Sequence, residues 1–293
     1  MADDGHAQCP LGNKFGCRIA DIPALAQHAA SLGIAVAGVA FHVGSGCCDA
    51  NAFVHALGDA RAAWNILLHY GHQPTLLDIG GGFPGSDDPR VWSVSFPQLA
   101  KAIHQGLDTY WSDIVDSIRI IAEPGRFFGE AAFSLACQVI ARRKVLNSTR
   151  EKEEEVVVEE EEDALNVDPI PPTTPDPLEP SFMYYVNDGV YGSFNCLIYD
   201  HAHVFPQVLH HEEPKCLQVY RSSVFGPTCD GLDCIHERIE LPELVVGDWL
   251  VWHNMGAYTL CAASQFNGFR KSDVVYTDST GEVQPLLNTY ILR

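Results

Sequence analysis

Positive charge is scarce in this chain of 293 residues. It has 18 lysines and arginines against 38 aspartates and glutamates, a formal net charge of −20. That balance argues against a surface that tracks a phosphate backbone, so nucleic acid is not an expected partner. Lysine is rarer still: Lys14, Lys101, Lys144, Lys152, Lys215 and Lys271 are all there are. No uninterrupted apolar run reaches the ~18 residues that a membrane-spanning helix needs, so no membrane partner is expected. The start, Met-Ala-Asp-Asp-Gly-His, is acidic and polar and does not read as a signal peptide. Ten cysteines are present, but neither C-x-x-C nor zinc-type spacing occurs. They are expected to be reduced thiols in a cytoplasmic protein.

Much of the acidity is local. Residues 151–163 hold nine acids and one lysine, and Pro169, Pro171, Pro172, Pro175, Pro177 and Pro180 follow. Low hydrophobicity, charge and proline mark 147–181 as a disordered loop. Elsewhere a hydrophobic content of 46% is enough for a core.

The first part of the chain repeats strand, polar loop and helix. Asp21 before Ile22-Pro23 predicts a helix from Pro23 to Leu32, closed by Gly33. The apolar run Ile34–Phe41 predicts a strand covered on both faces. It ends in the loop His42-Val-Gly-Ser-Gly46. Helical spacing then predicts a helix over about 49–70, a strand over 75–79, a helix from Ser95 to Tyr110 and a strand over 118–121. Three such repeats are α/β with parallel strands. Beyond them Ala131–Leu146 turns apolar and β-branched. The stretches 183–186, 193–198, 216–220, 249–252 and 257–261 predict short strands without long helices between them. The expected division is 1–133, α/β, and 134–293, β-rich.

Candidate chemistry gathers at the C-terminal ends of the early strands. Gly80-Gly81-Gly82 follows a strand and leaves backbone N–H groups unshielded, as an anion cradle requires. A second turn, Ala122-Glu-Pro-Gly-Arg126, follows a later strand. Glu123 and Arg126 stand three apart, either as a plain ion pair or as a carboxylate and a phosphate-binding guanidinium. His42 occupies the same strand end. Asp200-His-Ala-His203 lacks further ligands at useful spacing, so it reads as a hydrogen-bonding group with no metal. Gly226-Pro-Thr-Cys229-Asp230-Gly231 is a turn holding a thiol beside a carboxylate. Tyr258, in Asn254-Met-Gly-Ala-Tyr258, reads by itself as a core tyrosine.

Taken together, Phe41-His-Val-Gly-Ser-Gly-Cys47, Leu77 through Gly85, Ala122 through Arg126, Tyr184 through Asn195, Tyr199 through His203, Gly226 through Asp233 and Val246 through Thr259 closely resemble eukaryotic ornithine decarboxylases, over about residues 2–270. The resemblance implies a pyridoxal phosphate enzyme of polyamine biosynthesis, forming putrescine. Its expected fold is the C-terminal half of a (β/α)8 alanine-racemase-like barrel followed by a β-rich, sandwich- or barrel-like domain. It implies that Ser45, Gly80, Gly81, Gly82, Gly125, Arg126 and Tyr258 hold the cofactor phosphate. It implies also that His42 stacks on the pyridine ring and that Glu123 pairs with the ring nitrogen. Asp200, and Asp230 from the partner of a homodimer, would bind the distal amine of ornithine or a related diamino acid. Cys229, also from the partner, would return a proton, with Tyr191 and Phe266 lining the pocket.

One family feature is missing. None of the six lysines stands in a Pro-x-Tyr-Ala-Val-Lys-type segment, where the family carries its cofactor-anchoring lysine. A barrel needs eight strands and about 250 residues, and only three clear βα units precede the β-rich part. The expectation is an N-terminally truncated decarboxylase, or a non-catalytic regulator similar to antizyme inhibitors. The segment through which the family binds antizyme is not recognisable either. Missing strands would leave the parallel edges and the run Ile34–Phe41 exposed to aggregation.

Overall fold

The computed structural model describes residues 7–9, 14–145, 181–209 and 218–277. The expected loop at 147–181 lies outside these residues except for Ser181, as do the start of the strand expected at 216 and the last residues of the chain. The chain forms two compact units. The first contains 1–135, 195–206 and 252–263; the second contains 136–194, 207–251 and 264–293.

The strands of the first unit are β1 (Ala7–Cys9), β2 (Gly38–Ala40), β3 (Ser45–Cys47), β4 (Leu76–Asp78) and β5 (Arg119–Ile121). Its helices are α1 (Ile22–Ser31), α2 (Asn51–His69), α3 (Phe96–Tyr110), α4 (Gly125–Gly129) and α5 (Cys196–Tyr199). β2, β4 and β5 form a parallel sheet in that order. Each is shorter than its apolar run suggested. In the first, Ile34 is 55% exposed and the ladder begins only at Gly38. α2 buries Phe53, Leu57, Trp64 and Leu67 along one stripe, the 3.6-residue period that joins a helix to a sheet. Trp111 seals this core, packing edge-on to Trp64 and donating its indole N–H to Leu57 O at 3.0 Å. α3 starts with a capping box, Ser95 with Gln98, and a proline in the first turn. An open groove of about 740 Å³ runs along α1, α2 and β2, with His42, Asp78 and Glu123 among its lining residues.

The second unit is built on a six-stranded sheet in the order β10, β9, β7, β6, β11, β8. Its strands are β6 (Leu135–Lys144), β7 (Phe182–Val186), β8 (Pro206–Leu209), β9 (Val219–Phe225), β10 (Cys234–Pro242) and β11 (Trp249–Trp252). Phe182, Tyr184 and Val186 alternate inward along β7. β7 is parallel to β9 and antiparallel to β6, and β9 is antiparallel to β10.

Two expected strands are not strands. Residues 193–199 form a tight turn and the short helix α5, because Asp188 caps Ser193 through both its N–H and its hydroxyl at 2.9 and 2.6 Å and bends the chain. Residues 257–262 are bends and one 3-10 turn, with Tyr258 at φ 56°, a conformation no strand contains. In the other direction, β10 went unread because its apolar positions are interrupted by His236, Glu237 and Arg238, and β3 lay hidden in a Gly-rich loop.

Candidate functional site

In the first unit the glycine turn is held between strand ends. Gly80 N–H donates to Asp78 Oδ1 at 2.8 Å, and Glu123 N–H donates to Gly80 O at 2.7 Å. The turn requires glycine: Gly80 has φ +64° and a Cβ there would lie 2.1 Å from Phe41 O. Gly82 has φ +102°, and its carbonyl accepts the N–H of Cys47 at 3.0 Å, which ties the turn to β3 and Ser45. Among the described residues, no acceptor takes the N–H of Gly81 or Gly82. Two unpaired donors in a buried turn suit an anion.

His42 lies over this turn, its Nε2 2.9 Å from where a Gly81 Cβ would stand. Its Nδ1 accepts the Gly44 N–H at 2.9 Å, so the neutral ring keeps its proton on Nε2. Burial holds the imidazole pKa below its ordinary value, against the opposing pull of Glu123 and Asp78. The ring therefore stays neutral near pH 7, as a ring stacked on an aromatic ligand would.

Arg126, in α4, is buried. It does not pair with Glu123; its partners are Asp200 at 2.6 and 2.7 Å, Glu130 at 3.3 Å and Ser45 at 2.9 and 3.2 Å. Its guanidinium also faces the ring of Tyr258 at 4.7 Å. Burial opposes its charge, but the two carboxylates outweigh that and raise its pKa. The chain brings these groups together by returning twice. Asn195 donates its amide to Thr259 O at 2.6 Å. Gly256 N–H donates to Glu130 O at 3.0 Å, where a Cβ on Gly256 would meet Gly129 O at 1.8 Å. Glu130 and Trp92, whose indole N–H donates to Glu130 at 2.8 Å, were not singled out in the sequence. A Glu four residues after the Arg of the turn was the available signal.

The remaining candidates lie in the second unit. Tyr191 donates its hydroxyl to Asp230, and Phe266 stacks on Tyr191 with centroids 4.2 Å apart. Cys229 is exposed and accepts from Asn267 Nδ2 at 3.7 Å. By contrast, burial pushes the thiols of Cys47 and Cys196 up to about 11 and 12, which makes them inert. Two buried carboxylates set this geometry. Asp233 accepts from Val190 N–H at 2.8 Å and from the N–H and hydroxyl of Thr228 at 2.9 and 2.7 Å. Asp188 accepts from Gly189, Ser193 and Ser272. Among the described residues no cation pairs with either, so the charges rest on hydrogen bonds alone. Asp233 thus clamps the loop of Tyr191 to the turn of Cys229 and Asp230.

A strand-end glycine turn beside a buried arginine, with a neutral histidine above it, is an arrangement that suits an anion. Residues 1–130 match the family described as pyridoxal-dependent decarboxylase, pyridoxal binding domain. The chain is 46% identical over 279 residues to ornithine decarboxylase of Mus musculus, covering 94% of this chain and 55% of that one. It is 45% identical over 274 residues to antizyme inhibitor 2 of Xenopus laevis, covering 94% and 54%. Among solved structures, the arginine decarboxylase of Paramecium bursaria Chlorella virus matches with TM-score 0.74 and 32% identity, over 92% of this chain and 62% of that one. The Vibrio vulnificus lysine/ornithine decarboxylase complexed with cadaverine matches with TM-score 0.70 and 26% identity, over 90% and 61%. Residues 1–130 thus belong to the pyridoxal-dependent decarboxylase family, and their α/β unit is part of its (β/α) barrel, with the β-rich unit its second domain. Within that family the chain is ornithine decarboxylase-like. It spans about half the length of the curated relatives it matches.

Proposed function

We propose that this chain carries the cofactor and substrate residues of an ornithine decarboxylase-type lyase, which converts L-ornithine to putrescine and CO2. The observation that supports the reading best is the convergence of Ser45, Arg126 and the unpaired N–H groups of Gly81 and Gly82 on one buried turn beneath His42. That cradle fits the phosphate of pyridoxal phosphate. When bound, the cofactor supplies a cationic ring that accepts the electron pair released as CO2 leaves. Along the sequence, residues 1–133 are the cofactor-binding part and 134–293 the β-rich part.

The roles follow the side chains. Gly80, Gly81, Gly82, Gly125, Ser45, Arg126 and Tyr258 hold the phosphate. His42 stacks on the ring, and Glu123 holds a proton on the ring nitrogen. Asp200 binds the distal ammonium of the substrate. Tyr191 and Phe266 line the pocket, while Asp230 and Cys229 serve the partner subunit of a homodimer, the carboxylate as a second ammonium site and the thiol as proton donor. The fit stops at the tether. Lys14 lies over the Phe15 ring and Lys101 is exposed on α3, and neither hydrogen-bonds to the turn.

A second reading, a non-catalytic antizyme-inhibitor-like regulator, is favoured by the similarity to antizyme inhibitor 2. One titration separates the two. The full chain is mixed with pyridoxal phosphate, followed by absorbance, reduced with borohydride, and assayed for CO2 from carboxyl-labelled ornithine. The proposal expects reversible cofactor binding, weakened by Arg126→Ala, with no lysine labelled and no CO2 released by this chain alone. A single labelled lysine with putrescine release would overturn the expectation about the tether. No cofactor binding, together with specific capture of antizyme, would establish the second reading.

A further inference from the structure

The Arg126 cluster holds two carboxylates for one guanidinium. Every nitrogen of Arg126 is engaged: Nε and one terminal nitrogen with Ser45, the same terminal nitrogen with both oxygens of Asp200, and the other terminal nitrogen with Glu130. Glu130 has further donors in Trp92 and Ser86. Asp200 lies beside a small cavity of about 50 Å³, lined also by Asp88, His203 and Thr259. Among these three side chains negative charge thus outweighs positive. A phosphate reaching Gly81, Gly82 and Ser45 would add more, and it would find no guanidinium donor without a partner.

We propose that Asp200 and an incoming phosphate compete for Arg126, so that anion binding at the glycine turn releases Asp200 to hold an ammonium group. This rests on the reading above, in which the turn takes a phosphate and Asp200 the distal amine, and adds an order to it. Before the anion arrives, Arg126 masks Asp200. Once the anion takes the terminal nitrogen, the carboxylate turns to the cavity side and needs a cation. A diamine there neutralises the displaced charge and makes the anion easier to bind. The two ligands are thus coupled through one arginine, and the coupling is reciprocal by thermodynamic necessity.

The test uses the full wild-type chain with inorganic phosphate and 1,4-diaminobutane as probes, followed by titration calorimetry and 31P NMR. Diaminobutane is expected to tighten phosphate binding by about fivefold or more, and phosphate to tighten diaminobutane by the same factor. In Asp200→Asn, phosphate binds more tightly than in wild type without any amine, and the coupling disappears. Circular dichroism checks that the variant folds, and the wild-type coupling stands whether or not it does. Phosphate binding that is independent of diaminobutane overturns the competition while leaving the phosphate site intact. Weaker phosphate binding in a folded Asp200→Asn protein overturns it as well, because Asp200 would then be positioning Arg126 for the anion. No phosphate binding at all sinks the cradle, and the competition with it.

Discussion

Asp200 and Asp230 are both aspartates proposed to hold a substrate amine, yet their surroundings are opposite. Asp200 is 4% exposed and locked to a buried arginine. Asp230 is on the surface, held by the hydroxyl of Tyr191, whose hydrogen bond lowers its pKa. The first kind of site is costly to disturb, because removing one partner strands a charge without water. The second is inexpensive to disturb, because water replaces what is lost. The first unit therefore keeps its chemistry inside its own core. The second keeps an aromatic, acidic and thiol cluster at its surface.

Substitutions can break this contrast. Arg126→Ala takes the guanidinium away from Asp200 and Glu130 and is expected to cost about 3–5 kcal/mol in urea unfolding; a loss under about 1 kcal/mol would mean that water reaches the cluster. Asp233→Ala strands the N–H groups of Val190 and Thr228 and is expected to cost about 2–3 kcal/mol, with Asp233→Asn milder. This buried clamp, not the residues it presents, should be the sensitive part of the second unit.

Acid sharpens the comparison. Burial lowers the pKa of His42, and takes that of His236 to about 4. Both rings bind protons more readily in the unfolded chain. Stability should thus be undiminished above pH 6.5, fall as pH drops below it, and level off for His236 near pH 4. A midpoint in urea that is flat between pH 7 and 5 would contradict this. His42→Gln should flatten its share, since an amide does not titrate there. At the smallest end, Tyr191→Phe is expected to cost about 1 kcal/mol or less, and Cys229→Ala less than about 0.5 kcal/mol. A large loss in either would place these side chains in a buried setting.

The glycine turn, the helices and the parallel strands were legible because local chemistry dictates them: positive φ at Gly80 and Gly82, a buried stripe on α2, a capping box at Ser95. The Arg126 partners were not. Glu123 stood nearer in sequence, but the chain directs Arg126 to Glu130, one helical turn away, and to Asp200, 74 residues away. Such a pairing is decided by long-range packing, which no local pattern encodes. Residues 193–199 misled for a related reason. Their apolar composition suits a strand, and a buried carboxylate five residues upstream of Ser193 overrides it.

The first unit's membership, 1–135 with 195–206 and 252–263, has a genetic consequence. Arg126, Asp200 and Tyr258 are contributed by three separate stretches of the gene, so no contiguous cassette carries the site. A splice event or a proteolytic cut after residue 135 would deliver the glycine turn and Arg126 without Asp200 and Tyr258. Recombination between relatives would exchange the cluster intact only if it exchanged nearly the whole chain. A change at any of the three is thus read against the other two.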